Sequence, residues 1–406
     1  MVRPAIWLVL SAPPSLTSLA PRAIVAHADL LSFSPPHNVT SATTWTLPVR
    51  RAAGTVLKSQ QIGIIAVLIA LGVALTFAAG SHVDVLSGAR TNNFLNVYTL
   101  VQMGTDASSF AIMGVGATIV IIAGGIDLSV GAIYALAGVG MAMVLRMVGP
   151  MGPVATVSVG LATCLGIALV CGLANGFMVI GLGVHPFIVT LGTMWVLRGI
   201  AFVVSHAESV LVPSALTSVA KARLGLSADL YPVPVLVMLL VAAIGQVYLS
   251  RTVSGRYVFA IGGNPEASRY SGLRVDRIKL GVYAISGLSA GIAAFLGASF
   301  YGSATSSDAN GYELYVIAAA VVGGASLIGG KGSAISATLG AILIVMIRQA
   351  IRTLHLDQNY EWIIIGSALI LAVVLDQGGT RLLARRMAAA PPPPVRDTST
   401  SASEVP

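Results

Sequence analysis

The chain has 406 residues, 56% of them hydrophobic and only 9% charged, with a mean hydropathy of +0.87. Soluble domains carry roughly 25% charged residues, so this composition excludes a soluble globular protein and predicts one that crosses a membrane many times. The formal charge of +8 is gathered in a few loops and tails, the distribution that sets membrane topology, and no nucleic-acid partner is expected.

Residues 1–50 are rich in Pro, Ser, Thr and Ala and read as an N-terminal extension, disordered or placed before the true start; the apolar stretch 5–10 behind Arg3 is short for a signal peptide. A transmembrane domain is expected over 51–378 and a disordered cytoplasmic tail over 379–406. Apolar runs nearly free of charge mark spans at 62–79, 107–126, 128–145, 151–180, 186–204 (interrupted by Arg198), 232–249, 280–302, 314–329, 333–351 and 360–375. That makes about ten. A crossing helix needs around 20 residues, so the short runs near 314–329 and 362–375 are candidates for re-entrant or tilted segments, and eight crossings fit as well. The fold class is all-α: a polytopic helical membrane protein of eight to ten segments, some of them broken.

Residues 113–136 run apolar except for Asp127, set in Gly124-Gly-Ile-Asp-Leu-Ser-Val-Gly131. A carboxylate at such depth costs several kcal/mol in lipid, so it belongs in a protein-buried or wet path. Gly124 and Gly125 are expected to end one helix in a left-handed turn. Asp127 is expected to cap the next through the amide of Ser129 or Val130. Broken helices of this kind are where transporters put their sites. Further along, Cys164 and Cys171 read as packing residues, and Asn175 as a bridge between helices or part of a path. The spacings Gly172-xxx-Gly176 and Gly287-xxx-Gly291 suit close helix contact.

The stretch 250–279 is a basic loop containing Gly262-Gly-Asn-Pro-Glu-Ala-Ser-Arg-Tyr-Ser-Gly272. Asn264 caps, Pro265 takes the first helical position and Glu266 complements the dipole, which predicts a short helix from Pro265 to about Ser271, stopped by Gly272. Beyond it, Tyr312 and Glu313 open the run toward 314–329, with Glu313 able to cap a helix starting at Leu314. Gly124-Gly125 followed by Ser129 and Gly131 is echoed by Gly329-Gly330 followed by Ser333 and Gly340, a loose internal repeat that predicts two halves.

Basic residues cluster at Arg50, Arg51 and Lys58, at Arg251, Arg256, Arg269, Arg274, Arg277 and Lys279, and at Arg381, Arg385 and Arg386. All three regions should be cytoplasmic, with both termini inside and the loop 205–231 outside. No catalytic or metal-ligating cluster is evident. The segment Gly324-Ala-Ser-Leu-Ile-Gly-Gly-Lys331-Gly-Ser333 fails the phosphate-cradling pattern, because Lys is displaced by one position and Gly332 stands where Ser or Thr should follow it. If ATP drives this protein, another chain binds it, and the loop 250–279 is where that chain can dock.

Three motifs, Gly124 to Gly131, Asn264 to Gly272, and Gly311-Tyr-Glu-Leu-Tyr-Val-Ile-Ala-Ala-Ala-Val-Val-Gly323-Gly324-Ala-Ser-Leu-Ile-Gly329-Gly330-Lys-Gly332, resemble the permease subunit of bacterial ABC importers for monosaccharides of the ribose, xylose and galactose type. The resemblance spans about 60–376. It implies an inner-membrane permease, homodimeric or paired, with a periplasmic sugar-binding protein and a separate cytoplasmic ATPase. ATP and Mg would sit on that ATPase and no cofactor on this chain. It also implies that Gly262, Gly263, Asn264, Pro265, Glu266, Ala267, Arg269, Ser271 and Gly272 form a coupling helix seated on the ATPase. The candidate path or helix-break residues are Gly124, Gly125, Asp127, Ser129, Gly131, Asn175, Tyr312, Glu313, Gly323, Gly324, Gly329 and Gly330, with Tyr134 and Tyr315 as further ring faces for a sugar. One departure stands out: family members usually carry an acid after Gly-Tyr-Glu-Leu, where this chain has Tyr315. Two rivals share the sequence evidence, an ABC permease for branched-chain amino acids, nucleosides or a signalling furanosyl compound, and an ion-coupled secondary transporter with Asp127 as its titrating group.

Overall fold

The computed structural model describes residues 47–83, 88, 90–225, 230–371 and 373–374. Most of the 1–50 extension, all of the 379–406 tail, and with it Arg381, Arg385 and Arg386, lie outside the described residues. In chain order the elements are α1 (Leu47–Ala78), β1 (Ser81–Val83), β2 (Arg90–Asn92), α2 (Val97–Ile122), α3 (Val130–Val148), α4 (Pro153–Gly181), α5 (Pro186–Ser205), β3 (Val210–Leu211), α6 (Ser214–Ala220), α7 (Val233–Arg251), α8 (Val253–Gly263), α9 (Pro265–Tyr270), α10 (Val275–Tyr301), β4 (Ser303–Ala304), α11 (Tyr312–Val322), α12 (Ala334–Thr353) and α13 (Tyr360–Leu371). Among the described residues, α1–α5, α7, α10 and α12 are long and apolar enough to cross a membrane, while α11 and α13 are apolar but shorter. The protein is a polytopic helical membrane protein.

Why the helices pack as they do follows from their small residues. Apolar helices in lipid gain nothing from hydrophobic contact with one another, so close backbone approach decides. A Cβ at Gly172 would come 2.5 Å from the Tyr283 carbonyl oxygen, one at Gly176 would come 3.2 Å from the Leu280 Cα, and one at Gly287 would overlap the Ala168 carbonyl oxygen. The two small-xxx-small motifs therefore face each other, and α4 and α10 lie antiparallel at backbone contact. At the centre stands α2, 89% of whose most apolar window is buried, against 11% for α1. The side chains of Phe110, Ile112, Met113 and Val120 on α2 are buried among α3, α10, α11 and α12.

Helix ends carry their expected signals. Asn96 accepts from Thr99 N at 2.8 Å and Asn264 from Ala267 N at 2.9 Å, and Pro153, Pro186 and Pro265 occupy first helical positions. The two-residue strands β3 and β4 pair antiparallel and tie the α5–α6 connection to the end of α10. Ser333, at the start of α12, donates to Gln246 Oε1 on α7 at 3.0 Å. The short α11 thus ends beside the α8–α9 end of the bundle, while α10 ends at the opposite one. With the loop 305–311, α11 runs back along the bundle between these two ends.

Several sequence-based boundaries are corrected. The span expected at 107–126 is the helix Val97–Ile122, that at 280–302 begins at Val275, and that at 333–351 runs on through Arg352. Each was cut at a charge, yet Asp106, Lys279 and Arg352 all lie within helices, and Asp106 and Arg352 pair with each other across the bundle. The span expected at 314–329 ends at Val322, and 323–333 is irregular. The loop 250–279 holds not one helix but two, because Thr252 accepts from Gly255 N at 2.9 Å and starts α8.

The internal repeat is present in a different register. Gly124 N and Gly125 N donate to Ile121 O and Val120 O, both at 2.9 Å; Gly324 N and Ala325 N donate to Val321 O and Ala320 O at 2.8 and 2.9 Å. Both are the same reverse-turn cap with a left-handed glycine (φ +78° and +97°). Gly124 therefore matches Gly324, not Gly329, and the second break is longer by the stretch that holds Gly329 and Gly330.

Candidate functional site

The break between α2 and α3 is built around Asp127, which is buried. Its Oδ1 accepts from Ser129 N at 3.0 Å and from Ser129 Oγ at 2.6 Å, and its Oδ2 accepts from Ser286 Oγ on α10 at 2.8 Å. Asn175 Nδ2 on α4 donates to Ser129 Oγ at 2.7 Å, and Thr190 Oγ1 on α5 donates to Ile126 O at 3.2 Å. One carboxylate thus gathers the starts or middles of three helices. The expectation that Asp127 itself caps α3 is corrected: Ser129 is the capping position, and Asp127 acts from two residues upstream through the Ser129 amide. Gly125 faces the Tyr283 hydroxyl, and Gly131 lets the first turn of α3 touch the Ala309 carbonyl oxygen and Glu313 Oε2, where a Cβ would come within 2.5 and 2.7 Å.

Above this break, toward the end remote from α9, lies a cavity of about 240 Å³. Its wall is aromatic and charged: Phe110 from α2, Tyr134 from α3, Phe300 and Tyr301 from α10 and Tyr312 from α11, with Asp106 from α2 and Arg348 and Arg352 from α12. The Tyr312 ring lies 4.5 Å from Phe110 and 6.3 Å from Tyr134. Arg352 pairs with Asp106 at 3.3 Å, and Asp106 also accepts from Gln102 at 3.0 Å. Arg348 pairs with Glu361 at 2.9 Å and lies over the Phe110 and Tyr315 rings at 5.6 and 5.5 Å. Each cation of the wall has its own acid, so the cavity offers oriented donors and ring faces without surplus charge. Tyr315 is buried against Trp362 and Arg348, and Arg348 takes its acid, Glu361, from the first turn of α13.

Of the sequence-derived path residues, Tyr312 and Tyr134 stand in this wall. Asp127, Ser129 and Asn175 lie in the break, and Glu313 sits in the first turn of α11, its Oε2 buried without a hydrogen-bond partner among the described residues. Asp106, Arg348 and Arg352 were missed. Their signal was present: Arg348 and Arg352 are four apart in an otherwise apolar stretch, hence on one helix face. Arg198, read only as an interruption, is buried and donates to Ser306 O at 2.8 Å, Asp308 O at 2.6 Å and Ala309 O at 3.4 Å. It holds the loop 305–311 that leads into Tyr312.

At the other end, α9 stands exposed. Asn264, Pro265, Glu266, Ala267, Arg269 and Ser271 form and close it, Arg269 pairs with Asp276 at 3.3 Å across an exposed surface, and Gly272 turns the chain at φ +80°. Gly263 has nothing within 4 Å of where a Cβ would stand. Gly262, Gly124, Gly329 and Gly330 meet backbone to backbone where α8 touches both breaks, and Gly323 packs on Ser336 O at the foot of α12.

Comparison with known proteins adds to this geometry. Residues 99–374 match the family described as branched-chain amino acid transport system / permease component. The D-allose transport system permease protein of Escherichia coli (strain K12) is 36% identical over 286 residues, 70% of this chain and 85% of the relative. The ribose import permease protein of the same organism is 33% identical over 335 residues, 82% and 98% of the two chains. The autoinducer 2 import system permease protein of Yersinia pseudotuberculosis (serotype O:1b, strain IP 31758) is 31% identical over 312 residues, 75% and 90% of the two. No solved structure matches.

Proposed function

The chain belongs to the permease-component family matched over residues 99–374, and from that premise we propose that it is the membrane-spanning subunit of an ATP-binding-cassette importer for a monosaccharide, a pentose or hexose. On this reading a periplasmic binding protein delivers the sugar and a separate cytoplasmic ATPase drives its passage. The carrying observation is the charge-balanced aromatic cavity at one end of α2 with the capped, exposed α9 at the other. Sugar hydroxyls suit fixed donors such as Arg348 and flat apolar rings such as Tyr312; a branched-chain amino acid would need unpaired charges for its carboxylate and ammonium. The relatives named for allose, ribose and autoinducer 2 import support the same class. Ion coupling through Asp127 is disfavoured, since both its oxygens are taken by structural hydrogen bonds.

The same proposal covers assembly. The permease works as a homodimer in the inner membrane, with both termini and α9 on the cytoplasmic side, a reading supported by the basic residues around α9 and before α1. It is not itself an enzyme. ATP and Mg²⁺ are held by the ATPase, and in support of this the Gly324–Ser333 segment follows a helix, α11, instead of the strand that a phosphate-cradling loop requires. Alternating access then needs the ATPase to bias two arrangements of these helices through α9.

Proteoliposomes holding this chain with its ATPase and loaded binding protein should accumulate a labelled pentose or hexose only when ATP is supplied, and a protonophore should leave the rate unchanged. Uptake without the ATPase overturns the assignment. An Arg348→Met variant should lower uptake roughly ten- to a hundredfold, the worth of one hydrogen bond to a charged group, with basal ATP hydrolysis unaltered. Glu266→Lys and Gly272→Val should each leave hydrolysis running while uptake stops; normal uptake in both would remove α9 from the coupling surface.

A further inference from the structure

The last turn of α8 ends on an unusual contact. Ile122, the final residue of α2, has a carbonyl that its own helix cannot use, and Gly330 N from the second break donates to it at 2.9 Å. Gly262 sits against this hydrogen bond from below: a Cβ there would overlap the Ile122 carbonyl oxygen and come 2.7 Å from Gly330 N. Gly329 in turn would press a Cβ to 2.7 Å from Gly262 O and 3.2 Å from the Gly124 Cα. At Gly262 the three chain segments therefore touch main chain to main chain, with no side chain between them to absorb a shift. Packed backbone does not deform smoothly; it moves as a block or not at all.

Resting on the permease reading above, we infer that Gly262 is a positioning residue for coupling, its backbone transmitting displacement of α9 to both helix breaks at once. Each break belongs to a wall of the cavity. α2 runs from Ile122 up to Asp106, about 24 Å at 1.5 Å per residue, and α12 rises from the second break to Arg348 and Arg352. The Asp106–Arg352 pair at 3.3 Å joins the two helices again at the far end. A shift imposed at Gly262 therefore arrives at Asp106 and Arg352 together, as a tilt of one α2–α12 unit.

A glycine outside the junction supplies the control. Gly281 on α10 is helical and its Cβ position is open, so Gly281→Ala should transport as the unaltered protein does. Gly262→Ala, tested in the full complex with ATPase and binding protein, should still co-purify with the ATPase and hydrolyse ATP. It should lose uptake, and the stimulation of hydrolysis by loaded binding protein, by about tenfold or more. Equal behaviour of the two variants overturns the inference. Should Gly262→Ala fail to accumulate, spin labels on Arg269→Cys and Ile328→Cys read the same point without touching the junction. Their separation should stay fixed on ATP binding, while each moves relative to a label beyond the cavity; independent movement of the two overturns it. If the unaltered chain transports nothing with its ATPase, it is the permease reading that fails, a result distinct from either.

Discussion

An Asp127→Ala variant is expected to lose about 3–5 kcal/mol and to leave little folded protein in the membrane. The alanine strips an acceptor from three donors, Ser129 N, Ser129 Oγ and Ser286 Oγ, and a buried donor left unpaired costs about 1–3 kcal/mol, partly relieved when a serine turns to its own helix carbonyl. Asp127→Asn should be mild. An asparagine Oδ1 can keep both Ser129 bonds, and its amide can donate to Ser286 Oγ, whose lone pairs are free to accept. Thermal unfolding in detergent, read beside uptake, separates the two. An alanine variant as stable as the unaltered chain removes the structural role, and an asparagine variant that is folded but inactive restores a role for the charge itself.

The second large effect is expected at Arg198. Replacement by alanine leaves the carbonyls of Ser306, Asp308 and Ala309 without their shared donor, at a cost of about 2–4 kcal/mol for charge-assisted bonds in a buried setting. Arg198→Lys should recover only part of this, since a point ammonium cannot span three carbonyls as a planar fork does. The loop 305–311 positions Tyr312 in the cavity wall, so hydrogen exchange should accelerate there and sugar uptake should fall together. Exchange confined to α5, with 305–311 still protected, would contradict the clamp.

Local chemistry was legible in the sequence wherever a helix ends on a residue that can do nothing else. Asn264-Pro265 and Gly272 located α9 to within a residue, and Gly124-Gly125 located the first break. Charge was the misleading signal. Treating Asp106 and Arg352 as ends of spans hid the cavity, because their pairing joins positions 246 residues apart and a window along one helix cannot see it. Arg198 was hidden for the same reason, its partners being carbonyls that carry no sequence identity. The repeat was shifted because Gly329-Gly330 looks more like Gly124-Gly125 than Gly323-Gly324 does in its neighbours, and only the hydrogen bonds of the caps identify the true equivalents. Tyr315 shows the reverse case: its place in the motif was visible in sequence, but its packing on Trp362 and Arg348 was not.

The bonds that close the first break also set a timetable for biogenesis. Asp127 waits for Ser286, 159 residues later, and Cys164 on α4 waits 127 residues for the Gly291 carbonyl. At synthesis rates of ~5–20 residues per second, the Asp127 interval alone lasts roughly 10 to 30 seconds. Until α10 leaves the ribosome and enters the bilayer, the glycine notch on α4 can be lined only by lipid, and the first break has an incomplete set of partners. A chain truncated before α10 should therefore insert yet stay loose, and be cleared by membrane proteases, whereas one that reaches residue 301 carries the surface on which the first half sets.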